Sequence, residues 1–249
     1  MSALACLDRV AKTFDNGVRA FGPLDLHIAE GEFLALVGPS GCGKSTMLRA
    51  IAGLVEPSAG SVSFPAGRPE IGFVFQDPTL MPWARAFDNA RLPLDLKRIA
   101  AGEARKQAAN ALRRVGLGGF ERAYPRELSG GMKMRVSIAR AIAARPRLLL
   151  MDEPFAALDE LARQELNDDL LRLWREDGLT VVFVTHSVFE SAYLATRALA
   201  LTPRPGRIAA DIALSPPWPR NEDWRTTPDF AVQARKISSA LRLALGEAA

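Results

Sequence analysis

The chain has 249 residues, 48% of them hydrophobic and 24% charged, which suits one sizeable globular core or a core with subdomains. Its net charge of +4 is typical of a solvated surface, is compatible with an anionic membrane face, and is too small to indicate a nucleic-acid partner. The sequence contains no run of about 18 uncharged apolar residues, so it predicts no membrane span.

Residues 3–30 contain two strand-like stretches separated by the turn Asp15-Asn16-Gly17, which is a hairpin signal. We expect these strands to form an antiparallel sheet beside the main core. The first residues lack the basic-then-apolar pattern of a secretory signal, so no such signal is expected.

A phosphate-binding loop follows the buried strand predicted at residues 33–37. The run Gly-Pro-Ser-Gly-Cys-Gly-Lys-Ser-Thr fits the pattern G-x-x-x-x-G-K-[ST] and leads into a helix that ends at Gly53. Backbone N–H groups of such a loop cradle phosphates, Lys44 can reach the β- and γ-phosphates, and the Ser45 hydroxyl can bind Mg²⁺. The predicted nucleotide-binding residues are Gly38, Pro39, Ser40, Gly41, Cys42, Gly43, Lys44, Ser45 and Thr46.

The chain has two cysteines, Cys6 in a predicted strand and Cys42 within the phosphate loop. A disulfide at Cys42 would obstruct the nucleotide, so the sequence indicates a reduced, cytosolic setting.

Residues 148–151 form a second apolar strand that ends in two acids, Asp152 and Glu153. Functional sites of parallel sheets lie at the carboxyl ends of strands, where this pair falls. Asp152 is placed to hold Mg²⁺. Glu153, which points the other way if the strand continues, can polarise an attacking water. The alternative interpretation of the pair is a solvated turn.

Strands and helices alternate along the rest of the chain, which predicts a parallel core sheet. Residues 88–145 are helix-rich and form a predicted insertion. Residues 215–228 are rich in Pro and Trp, and a last helix begins at Thr227-Pro228, with Phe230, Ile237, Leu241 and Leu245 on one face. We therefore expect a main domain over residues 1–213, with a helical subdomain at about 88–145, and a C-terminal linker and helix over 214–249. That helix is expected to pack on the body; a dimer contact is the alternative.

The sequence Leu128-Ser129-Gly130-Gly131-Met132 resembles the LSGGQ signature of ATP-binding cassette (ABC) transporters, with Met in place of Gln. The chain thus resembles the ATP-binding subunit of such a transporter. The resemblance implies an α/β P-loop NTPase (RecA-like) fold, with a parallel-sheet core, an N-terminal antiparallel β-subdomain and a helical signature-motif subdomain. The predicted helix 132–145 puts Ser129, Gly130 and Gly131 at a second helix N-terminus, a second anion site. In this family two copies pack head to tail, with ATP between the loop of one and the signature of the other.

Further roles follow from the resemblance, residue by residue. Gln76 matches the glutamine that touches Mg²⁺ and the attacking water, and His186 matches the histidine that contacts the γ-phosphate. Asp159 matches the aspartate loop at the dimer interface, and Phe14 takes the place of an aromatic residue that stacks on adenine. The implied catalytic residues are Glu153, His186 and Gln76, the implied Mg²⁺ ligands are Ser45, Gln76 and Asp152, and the implied cofactors are ATP and Mg²⁺. The other histidine, His27, is expected to be structural.

Residues 80–83, 202–208 and 225–245 are similar to the nitrate/sulfonate/taurine importer branch, which also includes importers of pyrimidine precursors. The branch implies an ATP-hydrolysing subunit at the cytoplasmic face of the inner membrane, bound peripherally. The implied partners are integral membrane permease subunits, a second copy of the chain, and a periplasmic or lipid-anchored solute-binding protein. Met81, Trp83 and Phe87 could form the floor of a groove for a permease helix or could simply be core.

The alternatives are a soluble ABC ATPase acting on nucleic acid or ribosomes, and a P-loop kinase or GTPase. The first class usually has long coiled-coil insertions or two cassettes, neither of which is present. The second leaves Ser129-Gly130-Gly131 unexplained, and the chain has no guanine-reading N-K-x-D motif. An exporter half is disfavoured because no membrane domain is fused.

Overall fold

The structure is a computed structural model that describes residues 2–246. The chain folds into two compact units. The first is built from the residues up to Pro69 together with those from Gly178 onward, and the second from Glu70–Asp177.

The first unit begins with a three-stranded antiparallel sheet. Strands β1 (Ala3–Thr13) and β2 (Arg19–Ala29) form the predicted hairpin, and β4 (Ala59–Ser63) pairs with the other side of β1. Buried and exposed residues alternate along β2 from Leu24 to Ile28, which is the pattern of a strand with one face on the core. The predicted N-terminal antiparallel sheet is confirmed.

The same unit contains parallel strands that are buried on both faces. Strand β3 (Phe33–Val37) lies between β7 (Thr180–Thr185) and β8 (Arg197–Leu201) and is parallel to both, whereas β9 (Ile208–Ala213) runs antiparallel to β8. Every residue of β3 and β7 is buried, as expected of a parallel sheet covered on both sides. Helices α1 (Lys44–Ile51) and α6 (Val188–Leu194) follow β3 and β7.

The C-terminal residues belong to the first unit. Helix α7 (Glu222–Arg225) precedes α8 (Pro228–Leu245), which begins at the predicted position, with the Thr227 hydroxyl accepting a hydrogen bond from the Phe230 amide at 3.2 Å. Helix α8 contacts α6, β8 and β9. Phe230 and Ile237 are buried, whereas Leu245, near the end of the helix, is 42% exposed.

The second unit combines two parallel strands with helices. Strands β5 (Ile71–Val74) and β6 (Leu148–Asp152) pair in parallel. The helices are α2 (Ala86–Leu96), α3 (Ala101–Arg114), α4 (Gly130–Ala143) and α5 (Glu160–Asp177), with a 3-10 turn at Pro125–Glu127. Helices α2, α3 and α4 contact one another. Small buried alanines on α3, at 104, 108 and 111, allow close approach.

These elements confirm the predicted fold class: parallel strands alternate with helices, an antiparallel sheet comes first, and a helical insertion follows β5. Among residues 2–246, no helix is both long enough and apolar enough to cross a membrane.

One arginine of the first unit, at the start of β8, connects residues of β2 and β9 with Glu32, which precedes β3. The Arg197 guanidinium donates to the His27 carbonyl oxygen at 2.8 Å and to both Asp211 carboxylate oxygens at 2.8 Å, and it lies 3.5 Å from the Glu32 carboxylate. Burial raises the pKa of Glu32, an effect that Arg197 opposes. The hydrogen bond from Arg197 is the main cause that lowers the pKa of Asp211.

We predict that Arg197→Met lowers the free energy of unfolding at pH 7 by about 1–3 kcal/mol, because Glu32 and Asp211 lose a shared charge-assisted donor. Since the pKa of Asp211 is lowered in the fold, its stabilising contribution is present above its ordinary pKa and is lost as the pH falls through the lowered value. The deficit of the variant should therefore shrink in acid. Urea denaturation from pH 7 to pH 3 measures it, with exposed Arg207→Met as control. Equal stability of both variants at pH 7 would contradict the assignment.

Candidate functional site

The phosphate loop lies between the buried strand β3 and helix α1, in the first unit. Gly43 is the residue just before α1 and has a φ of 102°. A Cβ at this position would lie 2.5 Å from the Ala20 carbonyl oxygen, so only glycine fits. The loop thus presents its backbone N–H groups and the start of α1 in a conformation closed to other residues.

Lys44 is held within this loop. Its side chain is 4% exposed, and its ammonium donates to the carbonyl oxygens of Gly38 at 2.8 Å and of Pro39 at 3.0 Å. The positive charge is therefore kept where the phosphate oxygens of a nucleotide would enter the loop. Cys42 is buried, with its sulfur 3.9 Å from the Lys44 ammonium, so it offers a nucleotide only its backbone.

The other loop residues differ in exposure. Ser40 and Gly41 are exposed, Pro39, Gly43, Ser45 and Thr46 are half-buried, and Gly38 is buried. The nine predicted residues are continuous: 38–43 form the turn after β3, and Lys44, Ser45 and Thr46 are the first residues of α1.

The turn between β8 and β9 also contacts the phosphate loop, and sequence reasoning missed this contact. Arg204 Nε donates to the Gly41 carbonyl oxygen at 3.0 Å, and the Gly206 amide donates to Ala20 at 3.1 Å. A Cβ on Gly206 would lie 2.2 Å from the Cys42 carbonyl oxygen. In the sequence, residues 202–208 show only a turn signal and a resemblance to the importer branch. The loop that they contact is about 160 residues away, so the sequence does not predict this contact.

His186 leaves the sheet at the same edge as the phosphate loop. The register of β3 and β7 pairs Val37 with Thr185, and these are the last residues of the two strands. Gly38 and His186 are the next residues along the chain, so the two strands end side by side. His186 is exposed, and the residues on either side of it are fixed. The Thr185 hydroxyl accepts a hydrogen bond from the Ser187 amide at 3.0 Å, and the Ser187 hydroxyl accepts one from the Glu190 amide at 3.2 Å.

Phe14 lies at the hairpin turn between β1 and β2, where its amide donates to Val18. Its ring is 42% exposed, and the Lys12 ammonium lies 5.6 Å from the ring centroid. An aromatic face is therefore available to solvent, as adenine stacking requires.

The acid pair and Gln76 meet at one strand edge of the second unit. The register pairs Val74 with Met151. Asp152 is the last residue of β6, and Gln76 lies two residues beyond the end of β5. Asp152 is 4% exposed, whereas Gln76 is exposed. This edge brings together an amide and a carboxylate, both of which have oxygen ligands suited to Mg²⁺.

The strand does not continue to Glu153, so the expected alternation of side chains does not set its direction. Glu153 instead has a φ of 45°, in the left-handed region that side-chain-bearing residues seldom adopt. Backbone strain of this kind is concentrated at functional sites. The turn that begins at Glu153 therefore directs its carboxylate independently of Asp152.

The signature residues begin helix α4 at Gly130, two residues earlier than the predicted helix. Ser129 is the N-cap, and its hydroxyl accepts a hydrogen bond from the Met132 amide at 3.2 Å. Ser129 and Gly130 are exposed and Gly131 is half-buried, at the positive end of a 14-residue helix.

Asp159 lies just before α5. Its carboxylate accepts a hydrogen bond from the Ala162 amide at 2.9 Å, as Ser129 does from Met132 at the start of α4.

Trp83 is 76% exposed, so this one of the three candidate groove residues is not part of the core. Met81 and Phe87 are half-buried. The buried Asn89 side chain fixes this segment, because it accepts from the Met81 amide at 2.8 Å and donates to the Ala84 carbonyl oxygen at 3.1 Å. Trp83 thus projects from a firmly held loop.

Comparison with known proteins decides the family. A family model described as ABC transporter matches residues 21–156, which is more than half of the chain. The chain belongs to the ABC transporter family. The matched residues include the phosphate loop, the signature and the acid pair, so the fold is a P-loop NTPase and the chain is an ABC-type ATPase.

The ABC chain is similar to ATP-binding proteins of two named import systems. It is 45% identical to the aliphatic sulfonates import ATP-binding protein of Bacillus subtilis over 86% of this chain and 84% of that protein. It is 42% identical to the taurine import ATP-binding protein of Yersinia pestis over 80% of each. A solved structure of a dimeric ATP-binding cassette in a post-hydrolysis state, bound to ADP and Pi, matches with a TM-score of 0.76 and 35% identity, over 85% of this chain and 99% of that one.

We predict that Gly206→Ala weakens ATP binding by about tenfold or more, since the new methyl group must push the Cys42 carbonyl and displace the phosphate loop. Titration with a fluorescent ATP analogue measures the dissociation constant. Gly102→Ala is the control, because a Cβ there meets open space. Unchanged affinity in a folded Gly206→Ala variant would show that the loop tolerates the displacement.

Proposed function

We propose that the chain is the ATP-hydrolysing subunit of a membrane importer of a small solute, and that two copies pair head to tail around ATP. The observation that carries this proposal is the presence of two anion-binding helix starts in one chain, at Lys44 on α1 and at Ser129 on α4. One nucleotide seldom needs both from a single chain, whereas a head-to-tail pair uses each once per site. The solved cassette that the chain resembles is dimeric and bound to ADP and Pi, which supports the pairing of two copies.

We propose that Mg²⁺ accompanies ATP. Among residues 2–246 no cluster of three or more His, Cys, Asp or Glu side chains could hold a metal ion alone. That suits Mg²⁺, which is commonly held by one carboxylate, other oxygen ligands and the phosphates of the substrate. Ser45, Gln76 and Asp152 supply a hydroxyl, an amide and a buried carboxylate. When bound, the ion neutralises charge that develops on the phosphates.

The remaining residues take the roles that the family resemblance implies. Lys44 and the loop amides bind the β- and γ-phosphates, and Phe14 stacks on the base. Glu153 takes a proton from the attacking water, and His186 contacts the γ-phosphate and responds to its loss. Asp159 reaches the second copy at the dimer interface.

The importer assignment rests on the sulfonate and taurine import proteins that the chain resembles. We propose a solute of the nitrate, sulfonate, taurine or pyrimidine-precursor kind, recognised by a periplasmic or lipid-anchored binding protein and by integral membrane permease subunits. The chain lies peripherally at the cytoplasmic face of the inner membrane. The exposed Trp83 on its fixed loop suits a groove for a permease helix.

We predict that Glu153→Gln traps an ATP-bound dimer, because the amide keeps the shape of the site but cannot take a proton. Light scattering after gel filtration with saturating MgATP measures the mass, and Glu160→Gln is the matched control that changes an exposed acid.

A tagged Glu153→Gln chain pulled down from its native membranes with MgATP should recover a multi-span permease. A strictly monomeric variant would overturn the shared site, and recovery of only soluble or nucleic-acid partners would overturn the importer.

We predict that Ser129→Arg abolishes hydrolysis but leaves ATP binding to the monomer intact, because the added side chain blocks only the approach of a second copy. Ser129→Ala is the control, since it removes the cap hydroxyl at a cost of about 1 kcal/mol without adding bulk. Isothermal titration and phosphate release give the two quantities. Loss of monomer binding would mean that the signature serves the phosphate loop of its own chain.

A further inference from the structure

The C-terminal segment, residues 218–230, closes over the far end of α6, the helix that begins just after His186. The guanidinium of Arg220 donates from Nη1 to the carbonyl oxygens of Tyr193 and Leu194, each at 2.6 Å. These are the last two residues of α6. A cation at this end satisfies carbonyl groups that the helix itself leaves without partners and complements the helix dipole.

Aromatic packing reinforces the same contact. Four rings form what we call the aromatic cluster: Phe189 and Tyr193 of α6, Trp224 of α7 and Phe230 of α8. The ring centroids are 5.7 Å apart for Tyr193 and Trp224, 5.0 Å for Trp224 and Phe230, and 6.1 Å for Phe189 and Phe230. The Arg225 guanidinium carbon lies 3.8 Å from the Tyr193 ring centroid. Both turns of α6 are thus held by the C-terminal segment.

The near end of α6 fixes the turn that carries His186. Glu190, one turn into the helix, is buried and hydrogen-bonds through its carboxylate to the Thr185 hydroxyl. The same hydroxyl accepts from the Ser187 amide, and Ser187 caps the helix. Because α6 has only seven residues, a shift of its far end also moves Glu190 and the cap residue Ser187. His186 lies between Ser187 and Thr185, so it moves with them.

We propose that the C-terminal segment positions His186 for catalysis, with Arg220 as the positioning residue that fixes α6. The inference rests on the proposed contact between His186 and the γ-phosphate. Arg220 touches no reacting atom; it acts through α6, Glu190 and Ser187.

The chemistry of the contact favours positioning over simple adhesion. Burial lowers the pKa of Arg220 to about 10, so the guanidinium is charged at neutral pH but has lost much of its water. A desolvated cation is tolerated only while its acceptors stay in place. Sliding of α6 would separate the guanidinium from both carbonyl groups at once, whereas ring packing alone would permit the slide.

The first test follows the imidazoles themselves. The chain has two histidines, so selective ¹³C labelling gives two ring signals, and His27 serves as an internal reference. In Arg220→Ala the His186 signal should shift or broaden while the His27 signal stays. Arg220→Lys, which keeps a cationic donor, should restore part of the native shift, and Arg235→Ala, at an exposed position on α8, should move neither signal. An unchanged His186 signal in a folded Arg220→Ala chain overturns the inference. If the alanine variant does not fold, an unchanged His186 signal in a folded Arg220→Gln chain does so.

The second test uses ATP hydrolysis by the assembled transporter. We expect Arg220→Ala to lower kcat by about tenfold with KM for ATP nearly unchanged, since the phosphate loop has separate contacts. In a His186→Ala background the same change should have no further effect. An additive loss in the double variant overturns the proposed route through His186. If His186→Ala alone retains full kcat, the catalytic role proposed for His186 is wrong, an outcome distinct from the result of the imidazole test.

Discussion

The site depends on the close approach of three backbone segments around the phosphate loop. Gly43 faces the Ala20 carbonyl oxygen of β2, and Gly206 faces the Cys42 carbonyl oxygen, at distances that leave no room for a Cβ. The Gly206 amide donates to Ala20, and the Gly22 amide donates to Gly206 at 2.8 Å. Buried backbone groups are therefore paired while the loop is shaped. Because this shape is built into the fold, ATP binding does not need to order the loop.

The register of the parallel strands decides which candidate site residues lie at the same sheet edge. In the first unit, pairing of Val37 with Thr185 puts the phosphate loop and His186 at one edge. In the second unit, pairing of Val74 with Met151 does the same for Gln76 and Asp152. A register slip of one residue would reverse the faces of a whole strand and would separate these paired positions. Each unit therefore carries a defined set of candidate site residues: the first contains the phosphate loop and His186, and the second contains Gln76, the acids and the signature.

The features that could be predicted from sequence are those whose causes are local. The phosphate loop, the hairpin and the start of α8 at Thr227-Pro228 each depend on a few neighbouring residues. The features that were missed depend on distant contacts. Arg204 reaches Gly41 across 163 positions, and no periodicity predicts such a pairing. The left-handed Glu153 was missed for a different reason: the apolar run before it favoured continuation of the strand, but the backbone turns there instead. The spacing of apolar residues on α8 does not predict where burial ends: Ile237 is buried, whereas Leu245 is exposed.

The C-terminal part of the chain makes two physically different contacts, one with the phosphate loop and one with α6, the helix that follows His186. At the β8–β9 turn the contact is made by backbone atoms and by an exposed arginine, so water competes with it and it contributes mainly through shape. At α6 the contact is made by the half-buried guanidinium of Arg220, which donates to two carbonyl groups at a helix end, so the geometry of these acceptors decides the energy. An apolar residue in place of Arg220 could stabilise the same fold, but it would not distinguish one position of α6 from another. A charge that tolerates only one arrangement is thus suited to hold a short helix, and the turn at His186 before it, in one fixed position.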